Sequence, residues 1–206
     1  VPTDRFGCER RGRTLTETVE AAVAGAARAF VLREKDLPHA RHREQGEALA
    51  SLLRAVGGVL IVASDPALAN ELGARWVHLA DADPWPPATA GGGLDRCGLG
   101  RSCHDATSLL GARDGGAAYV TLSPVFSTDS KPGYGPPLGL AGLAQLARSV
   151  PALPVYALGG IDAATAAACR AAGAAGVAVM GAVMAAVGPE AATRELLAAI
   201  DAVPAR

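Results

Sequence analysis

Short runs of β-branched and aliphatic residues alternate along the chain with longer Ala-rich stretches of helical period, the pattern of repeated βα units around a parallel sheet. Eight units are predicted, with strands at 1–3 (a stub), 29–33, 59–63, 76–79, 97–102, 119–123, 155–158 and 176–180. Helices are expected over 15–27, 40–56, 65–72, 105–112, 140–149, 163–172 and 189–202. The unit after 76–79 lacks a helix, because Pro84, Pro86 and Pro87 followed by Gly91–Gly93 predict a loop. A second long loop, 124–137, is rich in Pro, Gly, Ser and Thr; loops of this length in compact domains are usually lids or binding segments.

This order predicts an α/β chain built as one (β/α)8 TIM barrel domain over residues 1–206, with phosphate-binding loops after the seventh and eighth strands. The structural rival is a doubly wound open sheet, whose Gly-rich turn follows its first strand; here the telling glycines come late. Half the residues are hydrophobic and only 4% aromatic, so the interior must be built from small and branched aliphatic side chains. A formal charge of -1 offers no field for nucleic acid or an anionic membrane, so an anion site must be local and the partner a small molecule. Apolar stretches such as 177–187 are too short and too interrupted by Gly to span a bilayer, and no leader pattern opens the chain, so a soluble, cytoplasmic protein is expected. Cys8, Cys97, Cys103 and Cys169 lack metal-type spacing, and no disulfide is expected. The Ala-rich helix over 163–172 offers a surface for a homo-oligomer.

Four segments carry candidate chemistry. "YALGGI" and "GVAVMGAV" close the last two strands, and the amides of Gly160 and Gly181, backed by helix dipoles, suit a phosphate; the alternative is that these glycines only make tight turns. In "LREKD" the strand period of two puts Arg33 and Lys35 on one side, a cation pair for a diphosphate or carboxylate, against the alternative of a surface cluster with Glu34 and Asp36. In "GRSCHD", Ser102 and His104 lie two apart at a strand end, and His104 suits proton transfer, while Asp105 can equally be a helix cap. After the sixth strand, Thr128, Ser130 and Lys131 can fold over an anion as a lid, or form a plain surface loop. His78 has weaker claims, and His39 and His42 sit on a polar helix with no evident role.

"TDR", "LREKD", "VHLADAD", "GRSCHD", "SPVFSTDSKPG", "ALGGI" and "GAAGVAVMGAV", in this order over nearly the whole chain, resemble the superfamily of thiamine phosphate synthase and the TenI-type thiazole tautomerase. The resemblance implies a barrel that binds thiazole phosphate at Gly159, Gly160, Met180 and Gly181, with Thr128 and Ser130 lining the cavity. It also implies that a synthase would hold magnesium diphosphate with an Asn-Asp pair after the third strand and an Asp after the fourth, and would have a Gln before the strand-two Arg. This chain has Ala63, Ser64 and Val31 at three of those places; Asp83, Arg33 and Lys35 remain, and Asp65 stands one residue late. Fewer acidic ligands weaken a magnesium site. The expectation is therefore a thiazole tautomerase without cofactor, an isomerase that aromatises a carboxylated thiazole phosphate by proton transfer through His104, with Ser102, Arg33 and Lys35 steering the carboxylate. The alternatives are a thiamine phosphate synthase, a transferase that joins hydroxymethylpyrimidine diphosphate to thiazole phosphate with Mg2+ at Asp83, and a non-catalytic protein that binds thiazole phosphate or thiamine phosphate.

Overall fold

The computed structural model describes residues 1–86, 97–128 and 136–203. Seven strands run parallel in chain order: β1 (Ala29–Leu32), β2 (Val59–Ala63), β3 (Trp76–Leu79), β4 (Gly98–Cys103), β5 (Tyr119–Leu122), β6 (Val155–Leu158) and β7 (Gly176–Ala178). A doubly wound sheet reverses its strand order at a switch point; this order has no reversal, so the fold is of the (β/α)8 class. The predicted stub is present as a parallel bridge from Pro2 to Val31, extended by Thr3 N donating to Val31 O and Val31 N to Val1 O, both at 2.9 Å.

The helices are α1 (Arg5–Glu9), α2 (Leu15–Ala24), α3 (His39–Ala55), α4 (Pro66–Glu71), α5 (Ala106–Asp114), α6 (Gly139–Ser149), α7 (Ala163–Ala171), α8 (Gly181–Met184) and α9 (Pro189–Asp201). α1 and α8 are single turns too short to show a period, and the sequence pattern does not announce them. No helix follows β3 among the described residues; Pro87 and Gly91–Gly93 of the loop expected there lie outside them. None of the four cysteines forms a disulfide, and no helix among the described residues is long and apolar enough to cross a membrane.

The chain groups into two compact units, Val1–Gly98 with Met180–Thr193, and Leu99–Val179 with Arg194–Arg206. In the first, Phe30, Leu32, Val62 and Val77 are fully buried on β1 to β3, with Leu49, Leu53 and Leu68 of α3 and α4 against them. Among the buried polar residues of this unit is one on the sheet itself. His78 on β3 is 9% exposed, and burial, helped by the Lys35 charge and opposed by Asp83, holds its imidazole down to about 4.

In the second unit, Val120, Leu122, Val155 and Ala157 fill the same role on β5 and β6. The aromatic rings lie over glycines: Tyr119 covers Gly100 and Tyr156 covers Gly176 on the paired strands, where any Cβ would overlap the ring. Beyond β6 the chain turns through Gly159 (φ 97°) and Gly160 (φ 64°), both in the left-handed region. This turn carries the segment after β5 directly on it, with Val125 N donating to Leu158 O (2.9 Å) and Phe126 N to Gly159 O (3.0 Å). A Cβ on Gly160 would overlap the Ser127 carbonyl.

Two outcomes are expected. Gly160→Ala combines left-handed strain of about 1–2 kcal/mol with that overlap, so urea unfolding should register a loss of at least about 2 kcal/mol; a loss below about 0.5 kcal/mol would mean the turn relaxes freely. His78 is neutral in the native state, whereas the unfolded imidazole titrates near 6.5. The unfolded chain then binds more protons between pH 6.5 and 4, so this contribution, on the order of 3 kcal/mol, is complete above about pH 6.5 and is lost as pH falls toward 4. Burial of His42 acts in the same direction. His78→Gln should visibly flatten the pH dependence of stability across that window, and an unchanged slope would contradict the buried neutral state.

Candidate functional site

Strand β1 stops at Leu32 because the next amide leaves the ladder: Arg33 N donates to Thr3 Oγ1 at 3.0 Å, and Lys35 N turns back onto Arg33 O at 2.8 Å. Alternation along a strand therefore does not apply to Arg33 and Lys35, which correct the expectation of a shared face by lying in a tight turn beyond the strand end. Arg33 Nη1 reaches Met180 Sδ (3.3 Å) and Lys35 Nζ donates to Ser64 Oγ (2.7 Å). Arg33 is thereby brought to the first turn of α8, where Gly181 is exposed. The N-H groups of Gly181 and Ala182 open that turn; its first helical bonds are donated by Val183 and Met184 to Met180 O. With one turn, α8 adds little dipole, so the donors gathered here are the Arg33 guanidinium and the backbone amides.

The acids of "LREKD" are engaged elsewhere. Arg5 on α1 binds Asp36 (Nη2 to Oδ2, 2.5 Å) and faces the buried Glu34 (Nε to Oε2, 4.0 Å), while Arg5 N donates to Glu34 Oε1 (3.3 Å). The alternative of a local cluster in which Glu34 and Asp36 neutralise Arg33 and Lys35 is thus not what forms: among the described residues neither cation pairs with an acid.

A cavity of about 290 Å³ opens beside Lys35, lined by Leu37, His39, His42, Ala63, Ser64 and Asp65. His42, which the sequence left without a role, is 6% exposed, and its Nε2 is buried with no hydrogen-bond partner. His39 Nε2 lies 3.3 Å from Glu71 Oε2. The spacing of His39 and His42, three apart on one helix, was the signal available; what it lacked was the knowledge that this face of α3 meets the ends of β1 and β2.

These residues do not suit a magnesium ion. The hydroxyl of Ser64 is bound to an ammonium, Asp65 Oδ1 caps α4 by accepting from Leu68 N (2.9 Å), and Asp83 Oδ2 accepts from Ala80 N (2.7 Å). No group of three acidic, His or Cys side chains able to hold a metal exists among the described residues.

In the second unit, His104 follows β4 with Nδ1 2.7 Å from Ser123 O. A carbonyl only accepts, so Nδ1 is the protonated nitrogen and Nε2 carries the lone pair of the neutral ring. The His104 backbone N donates to Ser108 Oγ (2.9 Å), and Asp105 is the N-cap of α5, accepting from Ser108 N (2.8 Å). Those backbone and side-chain bonds from Ser108 hold the Asp105 carboxyl below its ordinary range. Ser102 is half-buried on β4, in register with Thr121. Asp162, two residues after exposed Gly160, caps α7 in the same manner through Thr165. The positive φ values of Gly159 and Gly160 are explained by the close approach of 124–127, so tight-turn packing accounts for the glycines themselves. Thr128 is the last described residue before the 129–135 segment; Ser130 and Lys131 lie outside the described residues.

The sequence profile of a family described as thiamine monophosphate synthase matches residues 3–183. A thiamine-phosphate synthase of Roseiflexus sp. strain RS-1 is 44% identical over 141 residues, 68% of this chain and 58% of that protein. One from Moorella thermoacetica is 37% identical over 132 residues, 64% of this chain and 62% of that protein. The matches thus span less than two thirds of these relatives' own lengths. Among solved structures, thiamine phosphate pyrophosphorylase from Pyrococcus furiosus superposes with a TM-score of 0.85 at 31% identity, covering 98% of this chain and 94% of that one. With its strand order, its glycine turns and its matched residues 3–183, the chain belongs to the thiamine monophosphate synthase family.

Proposed function

We propose that this chain is a thiamine phosphate synthase, a transferase that joins hydroxymethylpyrimidine diphosphate to thiazole phosphate. The carrying observation is the turn after β1, which holds two cations, Arg33 and Lys35, while Arg5 takes up the acids beside them. The reaction breaks the bond between the pyrimidine methylene carbon and a diphosphate oxygen, and the electron pair leaves with the diphosphate. The thiazole nitrogen then gives its lone pair to that carbon. Negative charge develops on the leaving group, and a fixed ammonium or guanidinium near it lowers the barrier without reorganising in the transition state. Arg33 with the α8 amides suits a second phosphate, since a guanidinium and backbone N-H groups are both directional donors. Family membership supports this transferase reading over the isomerase reading expected from the sequence.

The tautomerase remains the second reading, on one observation. Coupling the two substrates needs no net proton transfer, yet His104 is held in the tautomer whose Nε2 can take and return a proton.

An assay of both reactions separates the two. Release of diphosphate in step with formation of thiamine phosphate is the expected result, with Lys35→Met lowering kcat/KM by roughly 30- to 100-fold, the equivalent of one charge-assisted contact of about 2–3 kcal/mol. Aromatisation of the carboxylated thiazole phosphate without diphosphate release, lowered at least about a hundredfold by His104→Asn, would replace the synthase by the tautomerase. Ligand binding with neither turnover would leave a binding protein.

A further inference from the structure

The segment that follows β2 is built around an internal cation. Ser64 has φ 57°, a left-handed conformation that is strained for a residue with a Cβ. It is held there at both ends: its N-H donates to His78 O (3.0 Å) and its hydroxyl accepts from Lys35 Nζ (2.7 Å). The neighbouring carboxylate of Asp65 is turned to the start of α4. The cavity these residues line therefore contains an ammonium fixed by a neutral hydroxyl, and its acid is committed to a helix cap. A divalent cation placed against Ser64 Oγ would meet Lys35 at like charge, whereas an anion would meet it at opposite charge. The second, independent observation is His42: its Nε2 is buried without a hydrogen-bond partner, which is unfavourable for an imidazole nitrogen, and His42 borders this same cavity.

We propose that this cavity binds a diphosphate directly through Lys35, with no divalent cation, Ser64 fixing the ammonium in the place where a metal-binding acid would otherwise stand. The identity of the anion rests on the synthase reading; the independence from metal rests on the geometry alone. Lys35 supplies the attraction, and Ser64 acts through Lys35 as a positioning residue.

Inorganic pyrophosphate is the probe, titrated calorimetrically into the full chain with EDTA and, separately, with magnesium. The expected dissociation constant in EDTA lies within about threefold of that in magnesium, and Lys35→Met weakens binding in EDTA at least about tenfold, the loss of roughly 1.4 kcal/mol or more. Ser64→Asp restores a carboxylate beside Asp65 and should convert the site to one at least about tenfold tighter with magnesium than without. Far-UV circular dichroism and thermal melts matching the parent establish that the variants fold. Binding seen only with magnesium, an unweakened Lys35→Met protein, a Ser64→Asp protein indifferent to magnesium, or no binding in either buffer would each overturn the inference. Metal-free binding without any diphosphate release in turnover would instead uphold this inference and sink the synthase reading.

Discussion

The chemistry of the first unit depends on how charge is divided at the ends of β1 and β2. Arg5, on a one-turn helix, pairs with Asp36 and faces Glu34, while the two cations between and beside those acids reach other groups. Were Glu34 and Asp36 to fold back onto Arg33 and Lys35, the turn would be neutral and without attraction for a phosphate. Because Glu34 is buried, its carboxylate is held in place rather than able to swing outward, and the separation is maintained by packing as well as by charge.

Fold and site meet at this turn. The N-terminal segment pairs with β1 and gives Thr3 the position from which its hydroxyl captures the Arg33 amide. That bond ends the strand, and the turn which follows directs the guanidinium to α8 and the ammonium to Ser64. In the second unit the same economy holds: Ser108 both caps α5 with Asp105 and accommodates the His104 amide, so the helix start and the imaging of the imidazole toward Ser123 are set by one short motif.

Elements governed by local pattern were legible in the sequence. The strands follow from aliphatic runs, and Asp65, Asp105 and Asp162 stand where helix caps are needed. Arg33 and Lys35 could be named, but not their geometry, since the alternation rule assumes a strand that in fact ends at Leu32. The partnership of Arg5 with Asp36 joins positions 31 residues apart, and that of Arg33 with Met180 positions 147 apart; neither has a local signal. His42 was unreadable for a related reason, because its burial depends on which face of α3 meets the strand ends rather than on its polar neighbours in sequence. The isomerase expectation rests on Ala63 and Ser64 standing where an acidic pair would hold a metal; the ammonium beside Ser64, 29 positions away in sequence, has no local signal.

The central claim is that Ser64 serves the anion site by holding Lys35. A double-mutant cycle with Lys35→Met and Ser64→Ala, read as pyrophosphate affinity in EDTA, tests it most directly. The account predicts that removing Ser64 weakens binding in the parent but has no further effect once Lys35 is gone. Independent, additive losses would contradict it.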